Sequence, residues 1–324
     1  MSDGLELDRF AAEVRAAHAR IQDGIRRTRL ELSPGLSEIT GARVFVKWEC
    51  EQTTGSFKLR GALNKLRALT PDERAAGVVS ASTGNHGLAI GHASRLEGVD
   101  LKLFLPITAA EIKRKKIEGL GIRVELQGTD CGKTEVFARG YAGRSGKTFV
   151  SPYNDWDIVR GAATTGLEIA EDAPALDDVI VPCGGGGLVG GIAAFLKATR
   201  PAVRVTAVEP ETSAFMAASV ASGRIVEVKE EETIADAVAG GIEPGSLTFP
   251  LCREYVDRFL IVSEKLIVRA MALLDRLHGI PVEGAGALPL AALLLSPGSF
   301  RGRTVVTVVS GKNIDPVRFR AVTA

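Results

Sequence analysis

Short apolar runs alternate with amphipathic segments along most of this 324-residue chain. The stretch Leu5 to Ile25 has apolar residues at helical spacing opposite a charged face, which predicts an amphipathic helix packed on the body of the protein. After it, strand-length apolar runs alternate with helical segments of about a dozen residues. The predicted strands are 43–48, 77–81, 101–105, 123–126, 148–150, 179–181, 203–208, 259–262 and 305–309. This alternation predicts an α/β fold of parallel sheets covered by helices.

Domain boundaries have to be placed by weak signs, because the sequence contains no low-complexity linker or repeat. The turn-rich stretch 69–77 and the segment 151–157 are the best candidates. If the chain crosses between domains at both, residues 72–149 form a small domain inserted into a large one made of 1–71 and 150–324. Ligands of open α/β sheets bind at the carboxyl ends of the strands, so functional residues are expected there.

Composition and charge are those of an ordinary globular protein, with 45% hydrophobic residues, 24% charged residues and a net charge of +1. Such a charge gives no electrostatic reason to expect nucleic acid or an anionic membrane as a partner. The acidic N-terminus does not resemble a signal peptide, and the longest apolar stretch, 284–295, is shorter than the roughly 20 residues of a membrane helix. A cytoplasmic enzyme is expected. The four cysteines form no CxxC pair, so free thiols and no metal are predicted.

Four consecutive glycines, Gly184 to Gly187, follow the apolar strand 179–181 and precede a helix. Consecutive glycines allow successive N–H groups to converge, and the helix start adds its positive dipole end. This pattern predicts a phosphate cradle, although tight packing of strand on helix is an alternative explanation.

The same loop admits a second functional interpretation. Gly185, Gly187 and Gly190 satisfy the G-x-G-x-x-G fingerprint, and Glu209 follows about 20 residues later, as in dinucleotide-binding folds. A nicotinamide-dependent oxidoreductase therefore stays open at this point. The loop indicates a phosphate without identifying the molecule that carries it.

A lysine stands where the segment Ser56 to Ala62 opens a helix, with Thr53, Thr54 and Ser56 as potential caps. Cations are disfavoured near a helix N-terminus, and the same field would lower the pKa of the Lys58 amine, as a Schiff-base lysine requires. From this segment alone, an exposed surface lysine is an equally good interpretation.

The segment Ser80 to Gly87 follows a predicted strand and starts another helix. Its free N–H groups would bind an anion such as a substrate carboxylate. Asn85 could donate to a phenolic or carbonyl oxygen. His86 could act as a general base, but a structural hydrogen bond at the helix start is the favoured interpretation.

Four motifs occur in one order along the chain: S-F-K-x-R-G-A, S-x-G-N-H-G, the four glycines, and Ser310-Gly311-Lys312-Asn313. As a set, from about Thr28 to Asp315, they resemble the threonine/serine dehydratase and serine racemase family of fold-type II pyridoxal-phosphate enzymes. The chain also resembles the hydroxyectoine-utilisation dehydratase branch, through 82–86 and 240–245. The resemblance implies a tryptophan synthase beta-like fold with two open, twisted, mostly parallel sheets and covering helices.

The resemblance implies pyridoxal 5'-phosphate as cofactor, held as an imine on Lys58 with Phe57 packed beside its ring. It implies that Asn85 hydrogen-bonds the 3-hydroxyl oxygen and that Ser310 faces the pyridine nitrogen. Glu283, at a predicted helix start, either contacts the cofactor or is favoured there by the helix dipole. The residues implied to hold the phosphate are Gly184, Gly185, Gly186, Gly187 and Leu188.

The resemblance also implies a reaction. Lys58 would move the Cα proton, and a serine facing the ring nitrogen favours β-elimination because it cannot hold a proton there as a carboxylate would. A dehydratase acting on L-threonine, L-serine or a substituted 3-hydroxy amino acid is expected. Thr83 could protonate the opposite face of Cα, so an amino-acid racemase stays open. The residues implied to bind substrate are Ser82, Thr83, Gly84, Asn85, His86 and, where the small domain returns to the large one, Asn154.

Some positions depart from the family. The family's divalent-cation site pairs the glutamate matching Glu209 with an acid six residues later, where this chain has Phe215. We therefore expect that site to be absent or rebuilt. Lys312 replaces the second glycine of S-G-G-N, which could reshape the pocket. Fold-type II relatives are commonly dimers, so a homodimer is expected.

Overall fold

A computed structural model describes residues 5–109, 111–173 and 175–324; the first residues of the acidic N-terminus lie outside these ranges. The helices are α1 (Leu7–Ile21), α2 (Pro34–Thr40), α3 (Lys58–Ala68), α4 (Pro71–Ala76), α5 (Asn85–Glu97), α6 (Glu111–Glu118), α7 (Cys131–Ser145), α8 (Trp156–Asp172), α9 (Gly187–Thr199), α10 (Phe215–Ser222), α11 (Thr248–Tyr255), α12 (Glu264–His278), α13 (Gly284–Leu295) and α14 (Pro316–Thr323). Short 3₁₀ turns lie at Glu49–Glu51 and Pro297–Ser299.

The strands are β1 (Leu30–Leu32), β2 (Arg43–Lys47), β3 (Val78–Ala81), β4 (Leu101–Leu105), β5 (Val124–Leu126), β6 (Thr148–Phe149), β7 (Asp178–Pro182), β8 (Arg204–Pro210), β9 (Arg258–Val262) and β10 (Thr304–Val308). In the described part of the chain they form a six-stranded sheet, β1-β2-β10-β7-β8-β9, and a four-stranded sheet, β5-β4-β3-β6. Apart from the antiparallel pair β1–β2, the paired strands run parallel. The predicted α/β fold with mostly parallel sheets is confirmed.

Three local predictions differ from the structure. Strand β1 was not predicted, because its three residues are at most half-buried and its apolar pattern is too short to show a period. Helix α1 ends at Ile21 rather than Ile25, and Gly24 follows in a turn that packs closely on Leu63. The turn-rich stretch 69–77 contains α4, which begins with a capping box made by Thr70 and Glu73.

The order of strands and helices explains where the candidate functional residues lie. All five residues of β7 are buried, as expected for a central parallel strand covered by helices on both faces. The loops after β7 and β3 lead into α9 and α5, so the glycine loop and the asparagine turn lie at the carboxyl ends of their strands. The division into a large and a small domain stays a prediction. Within the described residues, we find no helix with the length and apolar character of a membrane span.

Candidate active site

Lys58 is the first residue of α3, and the segment before it is held by the C-terminal motif. The N–H of Phe57 donates to the Ser310 carbonyl (3.0 Å), and Ser56 forms an antiparallel bridge with Gly311. The prediction that Thr53, Thr54 or Ser56 caps α3 is wrong, because the cap residue is Phe57 and it makes no side-chain cap hydrogen bond within the described part of the chain. The segment before α3 is therefore held by its pairing with the C-terminal motif and not by a side-chain cap.

The Lys58 side chain is half-buried and not on the open surface, so the surface-lysine interpretation is wrong. Its Nζ donates to the Pro152 carbonyl (2.8 Å) and lies 5.1 Å from the centroid of the Phe57 ring. Burial of the amine lowers the pKa of Lys58 to about 8. The sequence predicts that the electric field of the helix lowers this pKa. In the structure the pKa is lowered because burial removes the charged amine from water.

The glycine loop packs on Tyr153, the residue that follows Pro152. A Cβ on Gly185 would lie 2.5 Å from the ring of Tyr153, and one on Gly187 would lie 3.2 Å from the Tyr153 Cβ. Gly186 has a φ of +81°, which glycine adopts without strain. Thr248 Oγ1 donates to the Gly185 carbonyl (2.6 Å). Packing alone therefore accounts for several of the glycines, and the loop nevertheless delivers the N-terminus of α9 beside Pro152 and Tyr153.

Asn85 lies at the start of α5 and is fixed by two distant residues. Its Nδ2 donates to Glu283 Oε1 (2.6 Å), and its Oδ1 accepts from Asn313 Nδ2 (2.6 Å). Glu283 is the buried residue that precedes α13, as the sequence predicted. A side chain on Gly311 would overlap the Glu283 carboxylate, so glycine is required for this approach. The asparagine turn, Glu283 and the C-terminal motif therefore form one connected group.

His86 is buried and neutral. The single proton of the Ser80 hydroxyl is donated to the Val150 carbonyl (2.8 Å), so His86 Nε2 is the donor in its 3.0 Å contact with that hydroxyl. Burial, with a smaller effect from the Lys58 charge, lowers the pKa of His86 to about 3. This geometry favours the structural interpretation of His86 over a general base.

Glu209 lies at the end of β8, as predicted, but its carboxylate is occupied by the next helix. It accepts from the N–H groups of Met216 (2.9 Å) and Ala217 (2.7 Å) at the start of α10. Burial raises the pKa of Glu209 to about 7, although these two hydrogen bonds lower it. A carboxylate held in this way is not presented to a ribose, which the dinucleotide fingerprint requires.

The remaining predicted residues lie before α5, in the first turn of α9 and before α8. Ser82, Thr83 and Gly84 are half-buried between β3 and α5, where the N–H of Gly84 donates to Ser82 Oγ (3.2 Å). Leu188 is buried in the first turn of α9. The amide of Asn154 binds the segment before α11, accepting from the Leu247 N–H (3.0 Å) and donating to Glu243 (3.1 Å).

Sequence reasoning gave no role to Pro152, Thr248 or Asn313. Pro152 acts through its carbonyl, which every residue possesses, so no sequence signal could have identified it. Asn313 belongs to the C-terminal motif, and the motif itself was the available signal. The residues present fit a cofactor that carries an aldehyde and a phosphate. They offer an amine whose pKa is lowered by removal from water, the N-terminus of a helix after the glycine loop, and buried hydroxyls of Thr54 and Ser56 that have no hydrogen-bond partner among the described residues.

Comparison with known proteins defines the class. Residues 21–311 match the family described as pyridoxal-phosphate dependent enzyme. The chain belongs to this family, and pyridoxal phosphate is its cofactor. The nicotinamide-dependent alternative is therefore wrong.

Individual relatives narrow the resemblance. The L-threonine ammonia-lyase of Thermotoga maritima is 38% identical over 303 residues, which cover 94% of this chain and 75% of that protein. Threonine deaminase isoform 2 of Solanum lycopersicum superposes with a TM-score of 0.94 at 29% identity, covering 99% of this chain and 94% of that one. Maize serine racemase superposes with a TM-score of 0.91 at 31% identity, covering 96% and 95%. The predicted resemblance to threonine/serine dehydratases and serine racemases is confirmed.

Proposed function

We propose that this chain is an ammonia-lyase that removes water from a β-hydroxy amino acid and releases a 2-oxo acid and ammonia. L-threonine and L-serine are the first candidate substrates, and a substituted 3-hydroxy amino acid is a third. The observation that carries the proposal is the Lys58 amine, which donates to the carbonyl of Pro152, the residue before the Tyr153 that packs on the glycine loop, and whose pKa is lowered by burial to about 8. The similarity to a threonine ammonia-lyase and a threonine deaminase supports the same reaction.

Bound pyridoxal phosphate supplies an electron sink for the bond that breaks at Cα. We infer that Lys58 holds the cofactor through Nζ and that Phe57, Glu283 and Ser310 lie around its ring. The N–H groups of Gly184 to Leu188 would bind its phosphate at the start of α9. Asn85 gives one amide proton to Glu283 and keeps a second, which it can donate to the ring hydroxyl oxygen.

Lys58 is also the group that moves the Cα proton in this proposal. At pH 7 about a tenth of an amine with a pKa near 8 is neutral, far more than for an ordinary lysine. The N–H groups at the start of α5, from Ser82 to His86, would bind the substrate carboxylate and orient Cα toward Nζ. Ser310 would offer a hydroxyl and no negative charge to the ring nitrogen of the cofactor, which would favour elimination.

Cofactor uptake by the cofactor-free protein should accelerate as the pH rises through about 8, because the neutral Lys58 amine is the form that attacks the aldehyde. Burial disfavours the charged amine, so the neutral form accumulates at lower pH than for an ordinary lysine with a pKa of 10.5. The growth rate of the visible absorbance, measured between about pH 6 and about pH 10, gives the midpoint. A midpoint near that of an ordinary lysine would contradict the assignment.

The proposed reaction is tested directly by incubating holoenzyme with L-threonine, L-serine and larger 3-hydroxy amino acids. Equal amounts of 2-oxo acid and ammonia are expected from at least one of them. Chiral analysis of the remaining amino acid separates dehydration from racemisation. Absence of both oxo acid and inverted enantiomer with every substrate would refute the proposal.

Racemisation is the second candidate, favoured by the hydroxyl of Thr83 in the carboxylate-binding turn and by the similarity to maize serine racemase. In that case the Thr83 hydroxyl would protonate the face of Cα opposite Lys58. We further propose that residues 72–149 form a small domain inserted into a large one made of 1–71 and 150–324, that the chain forms a homodimer, and that it is cytoplasmic.

A further inference from the structure

One lysine of a basic helix contacts the group of residues around Asn85. Helix α6 carries four consecutive basic residues, 113–116. Lys115 forms an exposed ion pair with Glu111 one turn earlier on the same helix (2.8 Å). The next residue, Lys116, instead donates from Nζ to Oδ1 of Asn313 (2.8 Å), which lies 197 residues away in the C-terminal motif. Lys116 therefore connects α6 to the motif that holds Asn85.

Packing holds both ends of this contact in place. Ile117, which follows Lys116, is fully buried, and a Cβ on Gly87 of α5 would lie 3.2 Å from its Cδ1. Asn313 lies against Gly55, where a Cβ would lie 2.7 Å from Asn313 Oδ1. Gly55 has a φ of +78°, which glycine adopts without strain. The Lys116 ammonium and the Asn313 amide are thus placed by their surroundings and not by their mutual hydrogen bond alone.

The Lys116 contact sets the orientation of two amides. An ammonium donates hydrogen bonds and cannot accept them, so Asn313 must turn its Oδ1 toward Lys116. Its Nδ2 then donates to the Thr54 carbonyl (2.8 Å) and to Asn85 Oδ1 (2.6 Å). Asn85 in turn donates from Nδ2 to Glu283 Oε1 (2.6 Å) and keeps one free amide proton. The donors therefore run in one direction, from the lysine to the glutamate.

The charges at the two ends strengthen this series of hydrogen bonds. A hydrogen bond with one charged partner is about twice as strong as a neutral one, and each bond polarises the next. The Glu283 carboxylate raises the pKa of Lys116, although burial has a larger, lowering effect, so the two end groups attract each other. A cation that polarises Asn313 makes the free amide proton of Asn85 a stronger donor.

We propose that Lys116 is a positioning residue that acts through Asn313 on Asn85 and thereby stabilises the ionised form of the cofactor's ring oxygen. The inference rests on the proposed function, because it places that oxygen at the free amide proton of Asn85. The Thr54 carbonyl also accepts from Asn313, so the amide keeps part of its preferred orientation without the lysine. We therefore expect a graded effect of substituting Lys116 and not a complete loss of cofactor binding.

Absorbance spectra of the holoenzyme at a single pH test this inference. The ionised ring oxygen gives the visible band at about 410 nm, whereas the protonated oxygen absorbs in the near ultraviolet. Lys116→Met should lower the ratio of visible to near-ultraviolet absorbance about threefold. Lys116→Arg keeps a cation that only donates and should restore most of the ratio. Lys115→Met removes the neighbouring lysine of the same helix, so it is the matched control and should leave the ratio unchanged.

Denaturant unfolding separates this positioning role from a structural one. Lys116 is exposed, so Lys116→Met should unfold at the wild-type midpoint while its spectrum changes. An unchanged band ratio in Lys116→Met, or an equal fall in Lys115→Met, overturns the inference. The proposed function still stands if that holoenzyme forms oxo acid from a β-hydroxy amino acid. A wild-type protein that shows no visible band with pyridoxal phosphate and forms no oxo acid refutes both.

Discussion

Replacing Lys58 with alanine is expected to remove the visible absorbance of the holoenzyme at about 410 nm and to lower kcat at least ~10³-fold. The variant lacks the buried amine that would hold the cofactor and move the Cα proton. Absorbance spectra after dialysis against pyridoxal phosphate, together with oxo-acid formation, measure the two effects separately.

The control for this substitution is Lys133→Ala, which removes a lysine with a side chain 71% exposed on α7. It should keep both the absorbance and the rate. Circular dichroism shows whether Lys58→Ala has kept its secondary structure. A folded Lys58→Ala protein with wild-type absorbance and rate would place the cofactor's attachment on another residue.

Arg60→Met is expected to lower the free energy of unfolding by about 3–5 kcal/mol, because it leaves a buried carboxylate without its counter-charge. Arg60 has no exposed side-chain surface and forms paired hydrogen bonds with two carboxylates, those of Glu49 (2.7 and 2.8 Å) and Glu168 (2.7 and 2.8 Å). Lys47 completes the network with a 2.5 Å contact to Glu168, and all four side chains are buried. The two cations and two anions balance, so loss of one cation leaves a net negative charge in the core.

Denaturant unfolding followed by circular dichroism measures this loss as a shift of the first transition midpoint. The double variant Arg60→Met/Glu49→Gln removes one charge of each sign and should recover part of the stability, as expected for a balanced buried set. Arg123→Met, with a side chain 88% exposed and a surface ion pair to Asp100, is the control and should change stability by less than about 1 kcal/mol. If Arg60→Met is no less stable than Arg123→Met, the buried charge network contributes nothing to the free energy of unfolding.

The strand pattern was predictable because it is local. Nine apolar runs correspond to β2 to β10 within one or two residues at each end, since a buried strand must be apolar over its own length. The short edge strand β1 was missed because its pairing with β2 is decided by a neighbour and not by its own three residues. The side-chain caps predicted for α3 were wrong for a similar reason. The residues before α3 pair with Ser310 and Gly311, which lie far away in sequence.

By itself the sequence determined the α/β class, the positions of the glycine loop and asparagine turn at strand ends, and the resemblance that identified Lys58, because each depends on residues adjacent in the chain. Only the tertiary structure decided that burial lowers the pKa of Lys58. It also decided that Asn85 is held by Glu283 and Asn313. The meeting of Arg139 with Glu135 and Glu243 beside Tyr153 is a third such property. These properties depend on desolvation and on side chains from separate elements coming within a few ångströms of one another. A linear sequence carries no record of those distances.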